Sequence, residues 1–174
     1  MRRLILLRHA KSDRAPGLRD LDRPLNPRGR QAAPFMGRYL ADQGLRPDLA
    51  LVSPSVRTQE TWEAAAAALG TVRTETVRTI YEAPASALLA AVRDAPDEAG
   101  SLILVGHNPG MQDLAVKLVG RGDAAARGRL RTQFPTAAVA VIDFEAGAWS
   151  EIGWGAGTLE RFVRPRELAA DLDE

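Results

Sequence analysis

Three runs of four consecutive apolar residues constrain this chain more than any other feature: Leu4-Ile5-Leu6-Leu7, Leu49-Ala50-Leu51-Val52 and Leu102-Ile103-Leu104-Val105. A run with no polar alternation has no face to give to water. It suits a strand covered on both sides, the habit of parallel sheets flanked by helices. Helical spacing of apolar residues follows at a distance: Ala32, Phe35, Met36, Tyr39 and Leu40 after the first run, and Met111, Leu114, Ala115, Leu118 and Val119 after the last. Strand and helix in repeated alternation predict a layered α/β fold.

Local signals place the other elements. A capping residue followed by proline marks three helix starts, Asn26-Pro27, Ser53-Pro54 and Asn108-Pro109. Ser53 is read here as an N-cap and not as a nucleophile, since no paired base accompanies it. Pro34 predicts a kink in the first helix or a later start for it, and Gly44 to Pro47 ends it. The alanines at 64–68 extend the second helix. Residues 72–80 predict a short strand, 84–95 a short helix, and 120–131 a mobile surface loop. Two further strands, 137–144 and 149–152, are expected as an antiparallel pair near the sheet edge, joined through Ala146-Gly147. The polar end, 165–174, is expected to fray. With 174 residues, 45% of them hydrophobic, and no linker or repeat, the chain reads as one domain over 1–174.

Charge and composition exclude several functions. Twenty-three Lys and Arg against 22 Asp and Glu leave +1, too little to neutralise many phosphates of a polyanion, so no nucleic-acid partner is expected. The absence of cysteine removes disulfides, a thiolate nucleophile and thiolate metal sites. The first apolar run stops at Arg8, too short for a signal peptide, and no stretch reaches the length of a membrane span. A cytoplasmic protein with no membrane partner is the expectation.

The chain has two histidines, and each directly ends a strand signal: Leu7-Arg8-His9 and Val105-Gly106-His107. In open α/β sheets, ligands bind beyond the carboxyl ends of the strands. Arg57 stands one turn into the helix after the remaining apolar run and reaches the same edge. Two guanidiniums and the free N–H groups of helix N-termini favour an anion with several oxygens, as phosphate has, and repel a metal cation. Phosphoryl transfer needs a nucleophile aligned with phosphorus and positive charge around the equatorial oxygens. Arg8, His9, Arg57 and His107 supply that set, with His9 as nucleophile and no metal or other cofactor required. One histidine alone would be an ordinary polar strand end; the four together point to a site.

Arg8-His9-Ala10 with Gly106-His107-Asn108-Pro109-Gly110 resembles the histidine phosphatase superfamily, branch 1, which is also called phosphoglycerate mutase-like. Arg8-His9-Ala10-Lys11-Ser12, Asp22-Arg23-Pro24-Leu25-Asn26, Gly29, Ser53-Pro54-Ser55-Val56-Arg57-Thr58 and Gln59-Glu60-Thr61 are similar to its short phosphohistidine phosphatase subgroup, over nearly the whole chain. The resemblance implies a three-layer α/β/α sandwich with a mostly parallel central sheet and an antiparallel edge. It implies a phosphorylated His9, with Arg8, Arg57 and His107 holding the phosphoryl group and inorganic phosphate as product. It also implies a carboxylic acid for the leaving group. Glu82 lies in the right stretch, and stands either as that acid or as a solvated carboxylate ahead of a helix. Asn108 occupies the place where acid phosphatases of the superfamily have aspartate.

A weak acid suits phosphohistidine on a protein, because a protonated imidazole leaves more readily than an alkoxide. The short segment 71–100 leaves little room for a lid and suits a protein-borne phosphate. The alternatives are a phosphomonoesterase for a small sugar or nucleotide phosphate, and a phosphate-recognising domain with little turnover.

Overall fold

The three apolar runs lie side by side in one sheet, in matching register, in a computed structural model that describes residues 1–169. The strands are β1 (Arg2–Arg8), β2 (Leu49–Val52), β3 (Arg73–Thr76), β4 (Ser101–Gly106), β5 (Val119–Gly122), β6 (Val139–Phe144) and β7 (Gly157–Val163), in the spatial order β3-β2-β4-β1-β6-β7-β5. Leu102 of β4 is level with Leu4 on one side and Leu49 on the other, and the rows continue to Leu7, Val105 and Val52. These rows are buried from end to end. At about 1.5–3 kcal/mol for each fully buried large apolar side chain, they make the sheet centre the most costly part of the molecule to disrupt.

Successive side chains of a strand point to opposite faces. Leu4, Leu6, Leu102 and Leu104 therefore enter one core, against α3 (Ala85–Arg93), α4 (Gly110–Leu118) and α5 (Ala124–Thr132). Ile5, Leu7, Ile103 and Val105 enter the other, against α1 (Pro27–Asp42) and α2 (Val56–Ala66). The result is the expected three-layer α/β/α sandwich. Its antiparallel strand is β6, which runs against both β1 and β7; β5 closes that side parallel to β7.

Several local expectations are corrected. Trp149 to Glu151 is a 3-10 turn, with Trp149 buried and its indole N–H donating to Ala99 O at 2.6 Å. The partner of β6 is instead β7, whose Arg161, Glu160 and Thr158 disguise its alternation. Residues 120–131 are not a mobile loop but belong to β5 and α5, the latter capped by Asp123, whose carboxylate accepts from Ala126 N at 2.9 Å. Residues 73–76 alone form β3, and Arg78–Ile80 is a 3-10 turn. Helix α1 starts at Pro27 and continues past Pro34. Helix α2 starts later than Ser53-Pro54 indicates, since Ser55 caps it and Ser53 is free for another use. Helix α4 likewise begins at Gly110, with Asn108 Oδ1 accepting from Gln112 N. At the C-terminal end, α6 (Pro165–Leu168) is tied by Glu167, which accepts from Arg164 N, so fraying does not begin at 165; residues 170–174 lie outside the described part. Among the described residues no helix is long and apolar enough to cross a membrane.

Candidate active site

Matching register brings the strand ends to one level. Arg8 pairs with Gly106, His9 N donates to Gly106 O, and Ser53 N donates to Val105 O, so His9, His107 and Ser53 each begin the first turn beyond β1, β4 and β2. The histidine rings stand 5.5 Å apart, tilted by 54°, and both residues are buried. The four residues read from the sequence as a phosphoryl pocket, Arg8, His9, Arg57 and His107, line one cleft of about 640 Å³ together with Glu82.

Helix α2 holds the cleft's geometry from one side. Arg57, in its first turn, is 1% exposed although it is a guanidinium. One turn on, Thr61 donates to Arg57 O at 2.7 Å and accepts from Ala10 N at 2.9 Å. That hydroxyl couples the Arg57 turn to the residue after His9. On the other side, Arg8 Nη1 and the Asn108 amide both donate to Phe134 O, at 3.0 and 2.9 Å. Asn108 is thus a brace between the His107 turn and the segment beside Arg8. Glycine is required at two approaches. A Cβ on Gly29 would lie 2.1 Å from Lys11 O, and one on Gly110 would lie 2.1 Å from Ala83 O. These contacts set the segments carrying Lys11 and Glu82 against the sheet edge.

Each imidazole has one nitrogen committed. Nδ1 of His9 lies 2.7 Å from Ala10 O, a carbonyl that can only accept, so Nδ1 carries the proton and Nε2 carries the lone pair. Burial lowers the His9 pKa to about 3, and the charges of Arg8, Arg57 and His107 push the same way. Burial and then the Arg57 charge lower His107 to about 4. Both rings are neutral at pH 7. Nε2 of His107 meets Ser53 Oγ at 2.7 Å, while Nδ1 faces Arg57 Nη2 at 3.2 Å and Glu82 Oε1 at 3.7 Å.

Arg57 is held by two carboxylates, those of Glu82 and Asp20. Glu82 Oε1 accepts from Nη2 at 2.8 Å, so Glu82 is an ion-pair partner within the cleft and not a purely solvated residue. It adopts φ 51°, a conformation that costs a non-glycine residue about 1 kcal/mol and recurs at functional sites. Asp20, which sequence reasoning missed, accepts from Arg57 through both its backbone O (2.7 Å) and its carboxylate (3.0 Å). Its carboxylate also accepts from Tyr81 and from Arg23. The Tyr81 hydroxyl, then Arg57 and Arg23, hold Asp20 well below the usual carboxylate range. Asp20 lies in an exposed 3-10 turn with no apolar period, so only folding brings it to Arg57. Burial, followed by the neighbouring Arg57 charge, lowers the Arg8 pKa as well. The Nε atoms of Arg8 and Arg57 are buried with no hydrogen-bond partner.

The chain is similar to known proteins over most of its length. The family model described as histidine phosphatase superfamily (branch 1) matches residues 4–84. An uncharacterised protein of Mycobacterium tuberculosis is 32% identical over 162 residues, which span 92% of this chain and 100% of that protein. Among solved structures, one from Agrobacterium tumefaciens, of a protein proposed to be the phosphohistidine phosphatase SixA, is 33% identical with a TM-score of 0.80, covering 94% of this chain and 98% of the other. A second, from Nakamurella multipartitia and likewise proposed to be SixA, is 27% identical with a TM-score of 0.84, covering 94% and 96%.

Proposed function

This chain belongs to branch 1 of the histidine phosphatase superfamily, and from that premise we propose that it hydrolyses phosphohistidine carried on a protein, through a phosphoryl group held transiently on His9. The observation that carries the reading is the His9 tautomer. With Nδ1–H given to Ala10 O, a neutral Nε2 lone pair is ready to attack without prior loss of a proton.

In the first step Nε2 forms a bond to phosphorus as the bond from phosphorus to the substrate imidazole breaks. The departing imidazole, protonated on its other nitrogen, leaves neutral. Arg8 and Arg57 balance the charge on the equatorial oxygens, and the buried N–H groups of their Nε atoms gain in the bound state what they lack without an anion. In the second step water attacks phosphorus, the Nε2 bond breaks, and inorganic phosphate leaves with His9 restored. No metal takes part in either step.

Phosphohistidine is favoured over an ester by the acids present. Asp20 is held ionised by Tyr81 and two arginines, and Glu82 is engaged by Arg57. Asp20 is thus unlike a carboxyl kept protonated by an apolar pocket, the usual arrangement for protonating an alkoxide. The names given to the Agrobacterium and Nakamurella proteins support the same substrate. One observation favours a second reading, hydrolysis of a small phosphomonoester: Glu82 lines the cleft 3.7 Å from His107 Nδ1, within range of a leaving oxygen bound there.

The test is turnover of phosphoimidazole and of a phosphohistidine peptide by wild type and by His9→Ala, with radiolabelled phosphate trapped on the chain. Wild type should turn both over and yield an acid-labile, base-stable adduct, and His9→Ala should do neither. Undiminished turnover by His9→Ala would remove the nucleophile assignment.

A further inference from the structure

An arginine that is to meet phosphoryl oxygens has to hold its flat guanidinium at a fixed tilt, because all its N–H groups lie in that plane. Several side-chain torsions separate the plane from the backbone, and a group misplaced by about 1 Å can cost about a hundredfold in rate. Arg8 and Arg57 solve this differently. Arg8 is anchored through Nη1, which donates to Phe134 O at 3.0 Å. Arg57 is anchored at both terminal nitrogens. Asp20 reaches the two of them: its backbone O accepts from Nη1 at 2.7 Å, and its Oδ2 accepts from Nη2 at 3.0 Å. Glu82 Oε1 meets Nη2, at 2.8 Å. A single contact lets a flat group swivel about it. Contacts at two nitrogens fix the plane as a fork does, and leave the Arg57 Nε–H, which has no protein partner, for an anion.

Asp20 needs support of its own. Its side chain is 48% exposed, and the 3-10 turn that carries it buries no residue. An ion pair in such a setting holds its geometry weakly. Two further donors close on the carboxylate. Arg23 Nη2 reaches Oδ1 at 3.0 Å, and the Tyr81 hydroxyl donates to Oδ2, the same oxygen that receives Arg57 Nη2.

Tyr81 is not among the described residues that line the cleft. Its hydroxyl meets Asp20, and its ring stands edge-on to that of His107, with centroids 5.4 Å apart and planes at 88°. Consecutive side chains of an extended chain diverge. Those of Tyr81 and Glu82 converge, with Glu82 at φ 51°, so one dipeptide reaches Arg57 twice: directly through Glu82, and by way of Asp20 through Tyr81.

From this juxtaposition we infer that Tyr81 and Asp20 are a pair of positioning residues: the Tyr81 hydroxyl fixes the Asp20 carboxylate, and Asp20 fixes the plane in which Arg57 offers its N–H groups to the phosphoryl oxygens. The inference rests on the proposed reading of the site, in which Arg57 meets those oxygens. Neither residue touches the reacting atoms; both act through the guanidinium.

Phosphoimidazole turnover is measured for wild type, Tyr81→Phe, Asp20→Asn and the double variant, and again with Arg57→Lys, which keeps the charge and has no plane to orient. Tyr81→Phe retains the ring against His107 and loses the hydroxyl. It should lower kcat about tenfold, and Asp20→Asn about thirtyfold, with KM changed less than about threefold; both fall short of the loss of about a hundredfold or more that follows removal of a donor to the transition state. The double variant should be within about twofold of Asp20→Asn, because the hydroxyl acts through the carboxylate. In the Arg57→Lys background each effect should shrink to less than about twofold. Full losses that persist there, or losses that multiply in the double variant, overturn the inference and make the pair a support of the fold. Arg57 gives a second readout that needs no turnover. Rotation about its Cζ–Nη bonds, followed by nitrogen NMR of the side chain, should be slow in wild type and several-fold faster in Tyr81→Phe and in Asp20→Asn. Unchanged rotation overturns the pair. If wild type does not turn over phosphoimidazole while the rotation quickens as expected, the proposed reaction is wrong and the positioning of Arg57 stands.

Discussion

The Ser53 hydroxyl lies 2.7 Å from Nε2 of His107, and Ser53 is completely buried. A hydroxyl can donate or accept, so it supports either neutral tautomer of His107. With Nε2–H donating to Ser53, Nδ1 is an acceptor for Arg57 Nη2. With Ser53 O–H donating to Nε2, Nδ1 carries the proton and can give it to a phosphoryl oxygen. Ser53 is thus placed to fix the tautomer of His107. Ser53→Ala should lower kcat about tenfold, about 1.4 kcal/mol of transition-state stabilisation, with little change in KM. Nitrogen chemical shifts of His107 provide the readout that a merely structural role would leave unmoved: phosphate should drive wild type to the Nδ1–H form, and Ser53→Ala should not follow.

The pH dependence follows from the two lowered imidazoles. His9 titrates near 3 and His107 near 4, chiefly through burial. At 5.5 Å separation the rings titrate as a pair, so one acid limb of activity is expected, below about pH 5. An ordinary imidazole would place that limb near about 6.5. Stability has the same sign. The unfolded chain takes up protons at about 6.5 while the folded chain resists them until about 3–4, so stability is full above about 6.5 and falls as pH drops below it. Urea midpoints from pH 7 to 5 should decline for wild type and decline less for His9→Asn. A midpoint that rises on acidification would contradict the burial argument.

Much of this was legible in sequence because the sheet centre is made of uninterrupted apolar runs, and each run states where its strand ends. Arg8, His9, Arg57 and His107 follow from those ends together with one helix start. Strand β7 was hidden because Thr158, Glu160 and Arg161 break its apolar pattern, although Leu159 and Phe162 are buried. Helix α5 was hidden by Gly128 and three arginines, with Ala126 and Leu130 as its buried face. Asp20 and Tyr81 could not be read at all. They are 61 residues apart and meet only because both turns lie over Arg57. Pro54 gives Ser53 the local signature of a cap. The true cap, Ser55, accepts from Thr58 N and leaves Ser53 to the histidine.

Gly29 separates a backbone contact from a propensity effect. A Cβ there would sit 2.1 Å from Lys11 O, and neither side is a flexible side chain that could yield. Gly29→Ala should cost about 1–3 kcal/mol in a denaturation series, as overpacking does. It should also lower kcat/KM, since the displaced Lys11 lies two residues from His9. Gly128 in α5 is the control, because a Cβ there meets nothing within 4 Å. Gly128→Ala should raise stability by about 1 kcal/mol through helix propensity alone and leave activity intact.

Glu82 distinguishes the two proposed substrates. Its carboxylate is 2.8 Å from Arg57 Nη2 and 3.7 Å from His107 Nδ1. Glu82→Gln keeps the shape and removes the ionisable proton. If the residue protonates an alkoxide, kcat toward a phosphomonoester should fall at least a hundredfold, the size expected for general acid catalysis. Phosphoimidazole turnover should fall less than about tenfold, since its leaving group departs already protonated. Equal and large losses toward both would show that the carboxylate acts through Arg57, holding the guanidinium for the phosphoryl oxygens, and not as an acid. Backbone strain adds a second measurement. At φ 51° a glycine is relieved of the cost that glutamate bears, so Glu82→Gly should be no less stable than wild type by about 1 kcal/mol while losing the same activity as Glu82→Gln. Such a pairing, stability kept and activity lost, would mark Glu82 as a residue retained in a strained position for its chemistry.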